Sequence, residues 1–204
     1  MRYLLIPIIT ITFFGCIDPK TNSVESKEKV IQVEENASTE PEFFDYGTAR
    51  FTEQVSMSSD HFFSNNQTKD RFFIEINAGL VTNSKSSILV LNFEGDSIYF
   101  EEFPTYYLIN GYALDDMKSN NEVLKHILKR AKENIGESSF FKLDSTEHPF
   151  FESYEPSDYY DSLTYSNCFE NELFIFSFSL GEESTTFYGF SKEEQKATPI
   201  MDCC

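Results

Sequence analysis

Cations are what this chain most lacks. Sixteen Lys and Arg stand against 34 Asp and Glu, a net charge of −18, so a nucleic-acid backbone or an anionic lipid surface repels the molecule as a whole. Histidine is scarce too. His61, His126 and His148 share no H-E-x-x-H or H-x-H spacing, and no cysteine sits at ligand spacing from any of them, so no metal centre is indicated. The eight glycines are dispersed, and without a P-loop, a dinucleotide fingerprint or a G-x-S-x-G turn there is no basis for nucleotide chemistry or a nucleophile elbow. No cofactor and no catalytic residue is assigned. Long apolar runs are missing as well: the longest, residues 3–14, would reach roughly 18 Å as a helix at about 1.5 Å per residue, short of a hydrocarbon core of about 30 Å.

Bulky apolar side chains, by contrast, are plentiful. Twenty-two Phe and 11 Tyr in 204 residues, with 40% hydrophobic and 25% charged residues, describe a globular chain with material for one modest core and exclude collagen-like, coiled-coil and multi-span membrane classes.

Arg2 followed by the apolar run 3–14 has the form of a secretory leader. The run ends in Phe13-Phe14-Gly15-Cys16, with polar sequence directly after. This resembles the lipobox of bacterial lipoproteins. The resemblance implies that residues 1–15 are a signal peptide and that the Cys16 thiol receives a diacylglyceryl group. It also implies acylation of the new amino terminus, typically by palmitate, and anchoring to a membrane of the cell envelope, the outer one in a Gram-negative cell. Two or three chains at about 0.8 kcal/mol per buried methylene make such an anchor permanent without a basic patch.

Residues 17–42 contain no aromatic side chain and are rich in Lys, Glu, Ser, Asn and Thr. With the lipidated terminus they form a linker, 16–42, whose flexible span is on the order of 25–30 Å. Aromatics begin at Phe43-Phe44, so a single domain is expected over 43–198, with a C-terminal tail at 199–204.

Within the domain, residues 71–77 and 87–94 read as strands, and the second pairs with 97–103 in a hairpin across Gly95-Asp96. Residues 105–109 follow Pro104 as a further candidate strand. Residues 172–180 and 184–190 make a second hairpin, in which Phe174, Phe176 and Phe178 share one face. One helix is clear, from Asn120 to about Ile135: Ser119 and Glu122 have capping-box spacing, Gly136 supplies a stop, and Val123, Leu124, Ile127, Leu128, Ala131 and Ile135 share a side. These elements predict an α+β fold, a mainly antiparallel sheet with one amphipathic helix packed on it. Phe-Phe pairs recur at 43, 62, 72, 140 and 150. Adjacent residues of a strand point to opposite faces, so part of this aromatic surface needs cover from loops, helix or a partner.

Candidate sites are few. Ten carboxylates and no Lys or Arg occupy residues 143–191, and Glu155, Asp158 and Asp161 could offer oxygen ligands to Ca²⁺ or steer a basic partner; a solvated acidic surface is the alternative. Tyr154, Tyr159, Tyr160 and Tyr165 could stack on sugar rings, present a protein-binding patch or simply pack. With Cys16 lipidated, Cys168, Cys203 and Cys204 remain: Cys168 could bridge to Cys203 and pin the terminus, or stay unpaired. Asp96-Ser97-Ile98, Asp144-Ser145-Thr146 and Asp161-Ser162-Leu163 resemble an O-glycosylation acceptor pattern of some Gram-negative envelopes. The reading favoured is a lipid-anchored envelope protein whose acidic domain binds a protein or glycan and performs no chemistry. Two alternatives stay open: a small hydrolase using carboxylates with His148, and an inhibitor or immunity-type protein for a basic partner. A concave site with converging titratable groups would point to the enzyme, and a contiguous aromatic or acidic face to the binding module.

Overall fold

Alternation along one strand sets the frame. In the computed structural model, β3 (Asp70–Ile76) buries Phe72, Ile74 and Ile76 and turns Arg71, Phe73 and Glu75 the other way, because successive side chains leave a strand on opposite faces. The structure describes residues 46–109, 111–114, 116–143, 161–182 and 184–203. β3 pairs with β2 (Val55–His61) and β5 (Lys85–Leu91), and β5 with β6 (Ser97–Pro104), giving an antiparallel sheet of order β2-β3-β5-β6. A second antiparallel sheet has the order β10-β9-β8-β7, from β7 (Phe140–Lys142), β8 (Phe174–Leu180), β9 (Ser184–Ser191) and β10 (Lys196–Cys203). Two short strands, β1 (Arg50–Phe51) and β4 (Gly79–Leu80), pair separately. Both predicted hairpins form, and the fold is α+β and mainly antiparallel sheet, as the sequence predicts.

The sheets face each other through aromatic contacts. Phe72 of the first lies 5.0 Å from Phe176 of the second, centroid to centroid, and Phe103 lies 5.5 Å from Phe178. Between them lies the main core, which also takes in Val123, Leu124, Ile127 and Ala131 of α2 (Asn120–Asn134); a one-turn α1 (Gly111–Leu114) precedes it. Each fully buried Val, Leu or Ile here contributes about 1.5–3 kcal/mol relative to exposure.

Side chains fix both ends of α2. Ser119 Oγ accepts the Glu122 N–H at 3.3 Å, and the Glu122 carboxylate accepts the Lys118 N–H at 2.6 Å, the reciprocal logic of a capping box. At the other end, the Ile135 carbonyl accepts from Ser59 Oγ at 2.6 Å and pairs with His61 Nε2 at 2.9 Å. The buried Asn134 amide donates to the Ser179 carbonyl and accepts the Ser179 N–H.

Three expectations need correction. Residues 105–109 form no strand; Thr105–Leu108 is a 3-10 turn. Here the Thr105 side chain is buried against the Ser84 and Ser86 hydroxyls at 2.9 and 3.0 Å and its N–H bonds Ser84 O, which halts the extended chain after Pro104. Residues 199–203 are no tail but the outer half of β10, because Ile200 and Met201 are buried and a bulge between Pro199 and Met201 absorbs the proline. Finally, α3 (Ser162–Glu170) adds a helix beyond the single one expected. It covers the outer face of the second sheet, where Phe141, Leu143, Cys168, Leu173, Ile175, Phe187, Ile200 and Met201 form a separate core. Gly189 makes this contact possible: a β-carbon there would stand 2.9 Å from Thr164 Cγ2 and 3.0 Å from Cys168 Sγ.

Candidate binding surfaces

Few of the sequence-predicted site residues are among the described ones. Glu155, Asp158, Cys204 and His148 lie outside the described residues, as do Cys16, Tyr154, Tyr159 and Tyr160. Asp161 caps α3, its carboxylate accepting the Thr164 N–H at 3.0 Å and the Thr164 hydroxyl at 2.6 Å. Tyr165 packs against the core beneath α3. Ser97 and Ser162 of the acceptor-like patterns are exposed.

Of the two readings left open for Cys168, bridged to Cys203 or unpaired, the structure has it as a buried free thiol, and burial pushes its pKa up to about 11. The register explains why. Cys168 sits against Gly189, which pairs with Thr198, whereas Cys203 pairs with Thr185, four residues away along β9. That is roughly 13 Å at about 3.3 Å per residue, well beyond the Cα separation of about 4.4–6.8 Å that a disulfide spans.

The described histidines are tied into packing. His61 stacks on Phe140 at 3.9 Å and meets the last carbonyl of α2; loss of hydration on burial, the largest cause, lowers its pKa, opposed by that carbonyl and Glu137. His126, on the outer side of α2, is also lowered, by burial and then by Arg130 and Lys129. Among the described residues, no three His, Cys, Asp or Glu side chains come together to hold a metal.

What does stand out is the outer face of the first sheet. Register places Ser58, Phe73, Leu89 and Phe100 side by side across all four strands, a row roughly 14 Å wide at about 4.8 Å per strand. Phe100 is 62% exposed, and Phe93, in the turn after β5, is 71% exposed; Phe73, Leu89 and Leu91 are half-buried. The row on one side is polar, and the other passes from a charged pair to Leu91. The second of these carries Asp60 and Arg71, paired at 2.9 Å, and then Leu91. The polar row carries Ser56, Glu75, Ser87 and Glu102, with Glu102 paired to Lys85. Exposed pairs of this kind contribute little stability, but they frame the apolar row with charge of both signs.

The turn that bears Phe93 is anchored from within. Asp70, fully buried, accepts from the Ser64 N–H at 2.6 Å, the Ser64 hydroxyl at 2.9 Å and the backbone of Phe63 and Phe93. Burial raises its pKa and these bonds oppose the rise. One carboxylate thus holds the β2–β3 loop and the β5–β6 turn together.

A second surface is concave. Tyr46, Tyr106, Tyr107, Ile109, Leu114, Gly181 and Glu182 line a cleft of about 220 Å³, continuous through Tyr107, Gly181 and Glu182 with a wider one of about 480 Å³. The Tyr106 and Tyr107 rings meet at 81° with centroids 4.8 Å apart. A hydrogen bond to Tyr107 holds the Tyr106 phenol above its ordinary pKa. The β8–β9 turn is fastened beneath them by the Gly181 N–H donating to Tyr107 O at 2.6 Å.

Against protein-family models, curated proteins and solved structures, the chain finds no match.

Proposed function

We propose that this chain is a lipoprotein of the bacterial cell envelope, tethered through lipid on Cys16, whose domain binds a protein partner on the outer face of its first sheet. The observation that carries the reading is the apolar row Phe73–Leu89–Phe100, flanked by charge, with Phe100 exposed in it and Phe93 exposed on the turn after β5; contiguous apolar surface of this kind marks association sites. The occupant is an amphipathic helix of the partner. The second sheet already carries a helix, α3, over its outer apolar face, and the first has a comparable row with no helix over it among the described residues. Helix on sheet is the layer arrangement that buries such a face.

The test is comparative capture by the full-length chain from detergent-solubilised envelope, with wild type and Phe100→Asp side by side at low and high salt. The reading expects a partner held by wild type at both salt concentrations and lost from Phe100→Asp, with the melting temperature unchanged. Identical captured sets from the two chains would overturn it. A partner released by salt alone would instead favour the charge-led inhibitor. Mass spectrometry of the mature amino terminus, with Cys16→Ala as control, tests the anchor separately; an unmodified cysteine in wild type would remove it.

A further inference from the structure

From the tyrosine-lined cleft we infer a second, independent site, one that takes an organic cation of the alkylammonium class. Among the described residues, three tyrosines and one carboxylate line it, and no Lys or Arg does so. Tyr106 and Tyr107 are 40% and 42% exposed, and their rings stand nearly perpendicular, offering two walls of an aromatic corner with Tyr46 as a third side. The face of each ring carries the negative end of its quadrupole and attracts a cation within about 6 Å of the centroid. Glu182, exposed on the β8–β9 turn, adds a full negative charge at the rim.

Alternative ligand classes fit less well. An anion would meet Glu182, no countercharge and the field of a molecule of net charge −18. A neutral ring could stack on the tyrosines but would gain nothing from that field. An ammonium bearing methyl groups matches both the charge and the apolar side of the described lining: its charge would meet the rings and Glu182, and its methyls Ile109 and Leu114. The cleft is formed by the 3-10 turn Thr105–Leu108, α1 and the β8–β9 turn. It therefore shares no lining residue with the outer face of the first sheet, and either site can fail without the other.

Choline and its uncharged carbon isostere 3,3-dimethylbutan-1-ol separate charge from shape. Binding of each to the full-length protein is followed by saturation-transfer NMR on the methyl signals. Choline is expected to bind saturably and the isostere roughly tenfold more weakly. Tyr107→Ala should lower choline affinity by about the same factor while Tyr107→Phe, which keeps the ring, stays within about twofold. Glu182→Gln should weaken choline and leave the isostere unmoved. The inference is overturned by absence of a saturable choline signal, by equal affinity for choline and isostere, or by choline binding that Tyr107→Ala leaves intact.

Discussion

The two sheets have four strands each, share one core and differ in what covers their outer faces. On the second, Ile175, Phe187, Ile200 and Met201 lie beneath α3 and are buried. On the first, Phe73, Leu89, Leu91 and Phe100 occupy the equivalent layer, half-buried or exposed, with no such helix among the described residues. Similar chemistry in one chain has been closed in one place and left open in the other. A covered row contributes to stability within the chain; an open row leaves its apolar surface available to another molecule, which ties the architecture to the proposed binding role.

Substitutions that act on one face and spare the other can break this contrast. The largest effect is expected beneath α3, where Ile175 is fully buried: Ile175→Ala should cost about 2–5 kcal/mol, read as a lower urea midpoint. Next comes Gly189→Ala, whose new methyl would press on Thr164 and Cys168 and should cost about 1–3 kcal/mol by overpacking. A loss below about 0.5 kcal/mol for either would mean that the helix is not seated as described.

A pH effect is expected at the seam between the sheets, where His61 of β2 stacks on Phe140 of β7. Its folded pKa is lowered below 6.5 by burial. On acidification the unfolded chain therefore takes up the proton first, and stability present above pH 6.5 falls as pH drops from there through the lowered value. His126 adds in the same direction. Denaturation curves across that window should show a shallower pH dependence for His61→Gln, which can still donate to the Ile135 carbonyl; an unchanged slope would remove His61 from the account. The smallest effect belongs to the open face: Phe100→Ser should shift stability by no more than about 0.5 kcal/mol either way. A loss of several times that amount would mean that the ring supports the fold rather than a partner.

Much of the frame was legible in the sequence because periodicity is strong where one face is buried. β3, β5, β6, β8, β9 and α2 were all visible, and the Phe-Phe reasoning anticipates the open face: Phe72 enters the core and Phe73 leaves it. β2 carries only Val55 and Met57 as apolar residues among serines, Asp60 and His61, an edge-strand pattern too weak to stand out. α3 was hidden for a different reason. Its buried residues are Thr164 and Cys168, while Leu163 and Phe169 are exposed, so its hydrophobic pattern does not report its packing. The tyrosine cleft joins positions 46, 106, 107 and 182 across three chain segments, and no spacing rule links them.

The bulge at Pro199 has a consequence at another scale. Among the described strands β10 is the outermost of its sheet, and proline offers no N–H to a newcomer. Under the proposed lipid anchor, copies held on a two-dimensional surface would meet often, and an unbroken edge would let them zip together into fibres. The interrupted register at that single imino acid would make such crowding tolerable.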